Sequence, residues 1–460
     1  MAIWNGALWA IGNGLASSTL VIYLAMELHA ERLGLGIGLI VAAPHIAGLL
    51  RLGAPALIDR LGNRKHFCIA TFLFSALLLL ALPWVCAPGR LPTPDWSLAA
   101  LILLWCLYHL LQYLGTVGLW SWLADVAALP IRGRFFGRRE RWLVAGQAVA
   151  AVAAGLFVWG FLETHPSLPK WIPYGIAGGL GAAFMIAALI PLVLMPSAQS
   201  PLSLRARVRS TQSPLSLWER VRVRAISPER SQPSPPAPLP KGEGSLWTPL
   251  TDARFLRLLL FGCWFSFFNG VTQSAQNYYP MQILGISLFL ALGLQTGMRF
   301  GQLGISPWLG SLADRLGNRP VMIVSQLLVA AGLLFFAIAT PEHWALFIGA
   351  WILWIAYAGL NVCLPNLMLK LSPERDNASY IAVFYAVTGL CYAASTIVGG
   401  MLVDKYSGWD VSLPGGLTLS FFTTLFIFGW LARSLGAVLL LLVIEPVRHS
   451  TTANASRTNV

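Results

Sequence analysis

Three arginines, two histidines and several sets of amides interrupt otherwise apolar stretches of this chain, and no carboxylate does. Arg51, Arg299 and Arg433 lie among Leu, Ile, Val, Phe and Ala, as do His45 and His109; the acids nearest these stretches, Glu27, Asp59, Asp125, Asp314 and Asp404, fall at their ends. A guanidinium in hydrocarbon is costly unless water, a partner or a solute meets it. Its planar fork of donors matches carboxylate and phosphate. An unbalanced cation therefore points to recognition of a small polar solute, anionic or sugar-like, with Arg299 the sharpest candidate. A structural role for Arg299 stands beside this, bonded to helix carbonyls or to Gln295 and Gln302, which share its helical face. His45 and His109 titrate near neutral pH, so coupling to H+ through His109 stands beside plain hydrogen bonding.

The amides follow helical spacing. Asn269, Thr272, Gln273, Gln276 and Asn277 make one polar stripe; Asn5, Trp9, Asn13 and Ser17 make a second, and Trp105, His109, Gln112, Tyr113 and Thr116 a third. Such groups need partners or water, supplied either by a shared aqueous cavity or by bonds between helices. The sequence holds no G-x-x-x-x-G-K-[ST] loop for a nucleotide and no paired acid and base. Its cysteines, Cys68, Cys86, Cys106, Cys263, Cys363 and Cys391, lack CxxC or metal-like spacing. No catalytic residue, metal or cofactor is expected, and transport, if that is the function, must be secondary or facilitated.

Membrane helices must position these groups. With 57% apolar and 11% charged residues and a mean hydropathy of +0.68, the chain cannot cover a soluble surface. The net charge of +13 does not indicate nucleic acid, because Lys and Arg sit in short loops and not on one soluble face. Runs able to cross about 30 Å of hydrocarbon fall at 3–26, 35–58, 66–87, 97–124, 142–162 and 173–195, then at 255–281, 284–312, 321–340, 343–370, 378–403 and 417–444. Basic residues crowd one set of loops, which assigns both termini to the cytoplasm of a bacterial-type inner membrane. The first run starts without a basic leader and is expected to be an uncleaved anchor. Residues 196–254, rich in Pro, Ser and Arg, read as a disordered cytoplasmic linker, with an alternative in which their arginines lie on the anionic inner leaflet. The expected layout is 1–195 and 255–445 as six-helix bundles, with a cytoplasmic tail at 446–460.

A duplication supports the two bundles. Asp59-Arg60-Leu61-Gly62-Asn63-Arg64 and Asp314-Arg315-Leu316-Gly317-Asn318-Arg319 are identical, and Asn13-Gly14 matches Asn269-Gly270 at a similar spacing. Extended to Gly310-Ser311-Leu312-Ala313 before Asp314, the second copy resembles the signature loop of the major facilitator superfamily, found after the second and eighth helices. The first copy departs at Pro55, where the family has Gly, and the second ends in Pro320 where a basic residue is usual. The resemblance implies an all-α protein of twelve transmembrane helices in two pseudo-symmetric bundles, working as a monomeric permease by alternating access. It implies a cavity lined by helices 1, 4, 7 and 10, to which we assign Asn13, His109, Gln112, Asn269, Gln273, Gln276 and Asn361, together with Arg299. It implies gating by a cytoplasmic charge cluster, carried over as Asp59, Arg60, Arg64, Asp125, Asp314, Arg315 and Arg319. The fifth run lacks the Gly-Pro pattern of drug antiporters, so drug efflux is not favoured. A non-transporting scaffold on the same fold is the competing reading; it predicts polar stripes bonded to one another with no connected cavity.

Overall fold

The computed structural model describes residues 1–50, 63–87, 89–126, 132–195, 248–373, 377–412 and 418–445. Arg51, Pro55, Asp59 and Arg60, the linker up to residue 247 and the tail from residue 446 lie outside the described residues. Each of the twelve apolar runs contains a helix, and 11 helices are long and apolar enough to cross a membrane. The exception is the eighth, Leu288–Leu316, which has the length but carries Gln295, Arg299, Gln302 and Asp314. A helix that polar cannot present all its faces to lipid.

Within the first six crossings, the first packs against the fifth and sixth, and the third against the fourth and sixth. Within the last six, the seventh packs against the eleventh and twelfth, and the ninth against the tenth and twelfth. The two groups meet where the second crossing lies on the eleventh and the fifth on the eighth.

Local chemistry explains most of the helix ends. The first crossing breaks between Ala2–Leu15 and Ser18–Met26, where the Ser17 hydroxyl accepts from the Leu20 N–H at 3.3 Å. The tenth crossing alternates 3₁₀ turns, Trp344–Leu346 and Trp354–Ala356, with the α-helices Phe347–Leu353 and Tyr357–Leu371. The seventh, Ala253–Gln282, is capped by Asp252 and preceded by a short helix, Thr248–Thr251. The end of the stretch read as linker is thus part of the fold, because Asp252 accepts from the Arg254 N–H at 2.9 Å. The final run likewise begins as a strand, Thr418–Ser420, paired antiparallel with Asp410–Ser412, before the helix Phe421–Leu441.

The fifth crossing, Arg132–Thr164, starts well before the run at 142–162. Arg139, read as a loop residue, is instead buried on this helix, its stem close to Gly6 and its charge 5.6 Å from the Trp120 ring centroid. An aromatic face can hold a guanidinium that a loop would leave in water.

The two bundles are bonded together at the end where the second crossing begins and the eleventh ends. The Asp404 carboxylate, at the end of the eleventh crossing (Asn377–Tyr406), accepts from the Gly34 N–H at 2.6 Å and the Leu35 N–H at 2.8 Å. These are unpaired donors in the first turn of the second crossing, Leu33–Leu50. The Tyr23 hydroxyl donates to the Ile286 carbonyl across the same seam. Glycine permits the approach: a Cβ on Gly38 would fall 2.5 Å from the Thr396 carbonyl oxygen, and one on Gly34 2.6 Å from that of Gly400.

Candidate functional site

Two adjoining cavities lie between the bundles at the level of Arg299. One, of 310 Å³, is lined from the first half by Asn13, Ser17, His109, Gln112 and Gln147 and from the second by Gln295 and Arg299, among others. The next, of 300 Å³, lies further along the eighth crossing toward Leu316 and is lined by Gln302, Ser306 and Asn361, among others. Gln147, Ala148, Thr296 and Arg299 belong to both. Arg299 and Gln147 therefore stand at the junction, on opposite bundles.

The Arg299 side chain is exposed, and its exposure is to these cavities. It makes no hydrogen bond or ion pair with any described residue. Its expected amide neighbours do not hold it: Gln302 donates instead to the Trp354 carbonyl at 3.1 Å, freed by the 3₁₀ turn of the tenth crossing. No carboxylate lines either cavity.

The opposite wall is neutral. Gln147 donates to the Asn13 Oδ1 at 2.8 Å, and Asn13 donates to the Tyr108 hydroxyl at 3.5 Å, tying the first, fourth and fifth crossings together. His109 is set among aromatic rings, edge-on to Trp105 at 4.4 Å and stacked on Tyr113 at 6.0 Å. Trp105 is held by donating to the Ile40 carbonyl at 3.1 Å. Both His109 ring nitrogens and the Gln112 Oε1 are buried without a hydrogen-bond partner.

The structure thus brings Asn13, His109, Gln112 and Arg299 to one cavity, and Arg299 and Asn361 to the next. The seventh-helix stripe goes elsewhere: Asn269, Gln273 and Gln276 line neither cavity. Gln276 donates to the Thr272 hydroxyl at 2.8 Å, and Thr272 and the Asn269 carbonyl accept from Arg433 of the twelfth crossing. Arg433 is fully buried, with the Tyr357 and Tyr392 phenols nearby, although its Nε and Nη1 make no well-formed hydrogen bond. The stripe's polarity serves this network inside the second bundle.

Of the gating set, Asp59 and Arg60 lie outside the described residues; Arg64 opens the third crossing and Asp125 falls in the last turn of the fourth, their side chains undescribed. In the second half, Asp314 and Arg315 are exposed and bond to no described residue, while Arg319 donates to the Leu441 carbonyl at 2.7 Å. The acid that organises this loop is Glu445. It accepts from the Asn318 N–H at 2.9 Å, the Asn318 side chain at 2.7 Å and the Arg319 N–H at 3.1 Å, and pairs with Lys370 at 2.7 Å. Gly317, with φ +91°, turns the chain into that knot. Neither Glu445 nor Gln147 was singled out from the sequence, although Gln147 is the one amide in the 142–162 run.

This architecture is shared with solved structures along nearly its whole length. The nucleoside transporter NupG superposes with a TM-score of 0.62 at 13% identity, covering 97% of this chain and 98% of that one. A D-xylose-proton symporter does so with a TM-score of 0.64 at 15% identity, covering 96% of each chain. A family model described as Major Facilitator Superfamily matches residues 280–457. Over those residues the chain is similar to that family of transporters, and it shares their fold along its length. It is a multi-pass integral membrane protein. Among curated relatives, "Multidrug resistance protein MdtH" of Baumannia cicadellinicola subsp. Homalodisca coagulata is 27% identical over 140 residues, 29% of this chain and 32% of that protein. The aligned stretch therefore spans about a third of the relative's length.

Proposed function

We propose that this chain is a transporter of the major facilitator kind, secondary or facilitative, that moves a small anionic polar solute through the bundle interface by alternating access. The observation that carries this reading is Arg299, a mid-span guanidinium facing two adjoining cavities with no partner, and no carboxylate in either lining, among the described residues. A charge so placed gains most from an anion that desolvates with it. The external seam, latched by Asp404 and Tyr23, fits a state closed to the outside, and the cavity stacked toward the cytoplasm fits an exit route. A scaffold would have bonded its polar stripes to one another with no cavity between them; Asn13 does bond to Tyr108 and Gln147, and the seventh-helix stripe to Arg433, but His109, Gln112 and Arg299 line a cavity. A central cavity of 310 Å³ sits at the bottom of the range for small-molecule sites, about 300–1,000 Å³. Its size favours metabolite-like solutes over the drug-sized molecules suggested by the relative's name.

The protein is placed in a bacterial-type inner membrane with both termini cytoplasmic, acting as a monomer, with H+ through His109 as the candidate coupling ion. The test is uptake into proteoliposomes of radiolabelled organic anions, neutral sugars and organic cations by the wild type, Arg299→Lys and Arg299→Gln. Anion uptake should weaken in the Lys variant and vanish in the Gln variant. Cation or drug uptake that survives Arg299→Gln would overturn the proposal.

A further inference from the structure

The two walls of the central cavity differ in kind, and the difference defines a ligand. From the second bundle comes a guanidinium, Arg299, with Gln295 and Thr296 beside it. From the first bundle come the amides and hydroxyls of Asn13, Ser17, Ser18, Gln112 and Gln147, beside the His109 ring. Gln147 is the hinge of this asymmetry. One Nε2–H donates to Asn13, which fixes the amide and leaves its carbonyl oxygen, an acceptor, for a solute hydroxyl, beside the second N–H. It is also the first-bundle amide that lines both cavities opposite Arg299. A bare anion would satisfy Arg299 and leave this wall unpaired. A neutral sugar would satisfy the wall and leave the cation unpaired.

We infer that the solute is a hydroxylated organic anion, of the sugar-acid or sugar-phosphate kind, whose anionic group meets Arg299 while its hydroxyls donate to Gln147 on the facing bundle. This rests on the anion-transport reading above and goes beyond it by naming the second half of the ligand and the residue that selects it. Such a molecule touches both bundles at once. Only a ligand that bridges them makes their closure around it more favourable than their separation.

Full-length protein in detergent is titrated with gluconate and glucose 6-phosphate, with their unhydroxylated counterparts hexanoate and inorganic phosphate, and with glucose. At least one hydroxylated anion should bind about tenfold more tightly than its plain counterpart, the gain expected of one or two well-placed hydrogen bonds. Gln147→Met should remove that margin and leave hexanoate and phosphate affinity unchanged, whereas Arg299→Gln should abolish binding of all four anions. Ser18→Ala, a second wall variant that leaves the Gln147–Asn13 bond in place, should erode the margin in the same direction. Melting curves on each variant separate a lost contact from a lost fold. If hydroxylated and plain anions bind alike, or if the margin persists in a folded Gln147→Met protein, this inference fails while the anion reading stands. If no anion binds through Arg299, both fail.

Discussion

Two arginines stand in mid-membrane in the second bundle, and the protein treats them oppositely. Arg433 is sealed inside the bundle, its Nη2 donating to the Thr272 hydroxyl and the Asn269 carbonyl, with Tyr357 and Tyr392 packed near. Arg299 faces a cavity and donates to no described residue. Both are paid the same desolvation penalty in principle, so the contrast lies in who offsets it: neighbouring helices for Arg433, and water or solute for Arg299. The same division sorts other charges. Asp404 and Glu445 have protein partners; Asp314 and Arg315 at the cytoplasmic end have none among the described residues.

Truncating the sealed arginine should have the largest effect on the fold. Arg433→Ala removes a fully buried side chain and its two bonds to the seventh helix, and a loss of about 3 kcal/mol is expected from the cavity and the lost hydrogen bonds together. Thermal unfolding in detergent reads this directly; an unchanged melting midpoint would show that the network around Thr272 does not need the guanidinium. The open arginine should show the reverse profile. Arg299→Gln should unfold within about 1 kcal/mol of the wild type, yet lose about a hundredfold in anion affinity, the worth of a bidentate charge-assisted pair. A Gln variant with melted stability and intact affinity would exchange the roles of the two residues.

Much of this division was legible in the sequence. The runs marked the twelve helices, and Arg299 stood out in the eighth beside Gln295 and Gln302. The seventh-helix stripe was equally visible, but its partner, Arg433, lies far along the chain on another helix, and spacing within one helix cannot reveal which neighbour will meet it. Gln302 was misread as a companion of Arg299 for a similar reason: its acceptor exists only because the tenth crossing tightens into a 3₁₀ turn at Trp354. Glu445 is the last residue of the second bundle as read from the sequence, and nothing in its spacing tied it to Asn318 until the fold set the two together.

The external latch extends the contrast to conformational change. Asp404→Asn keeps one acceptor but removes the charge that caps the second crossing, and the closed-outside state should lose about tenfold in population relative to the open one. Accessibility of an external probe to a cysteine placed at Ile286 reads that shift, with Arg299→Gln as the control that should leave the latch alone. Equal probe access in the wild type and Asp404→Asn would mean that the glycine packing of the second and eleventh crossings closes this seam unaided.

The smallest effect belongs to the cytoplasmic knot, and its sign with pH is fixed. Burial raises the Glu445 carboxyl, but Lys370, the Asn318 side chain and the backbone N–H groups of Arg319 and Asn318 outweigh burial and hold it below the usual carboxylate range. A carboxyl depressed on folding contributes stability above its unfolded pKa, about 4.3, and loses that contribution as pH falls through its lower folded value. Wild type should therefore exceed Glu445→Gln in stability by up to about 1 kcal/mol at neutral pH, with Lys370 partly exposed and its share screened accordingly. The gap should close only below about pH 4, as the carboxyl takes up its proton and the wild type comes to resemble the amide. Melting curves of the two proteins across that range test the assignment. A gap that widens toward acid would mean that the carboxylate destabilises the loop it contacts, and that the Asn318 and Arg319 backbone is held by the turn at Gly317 alone.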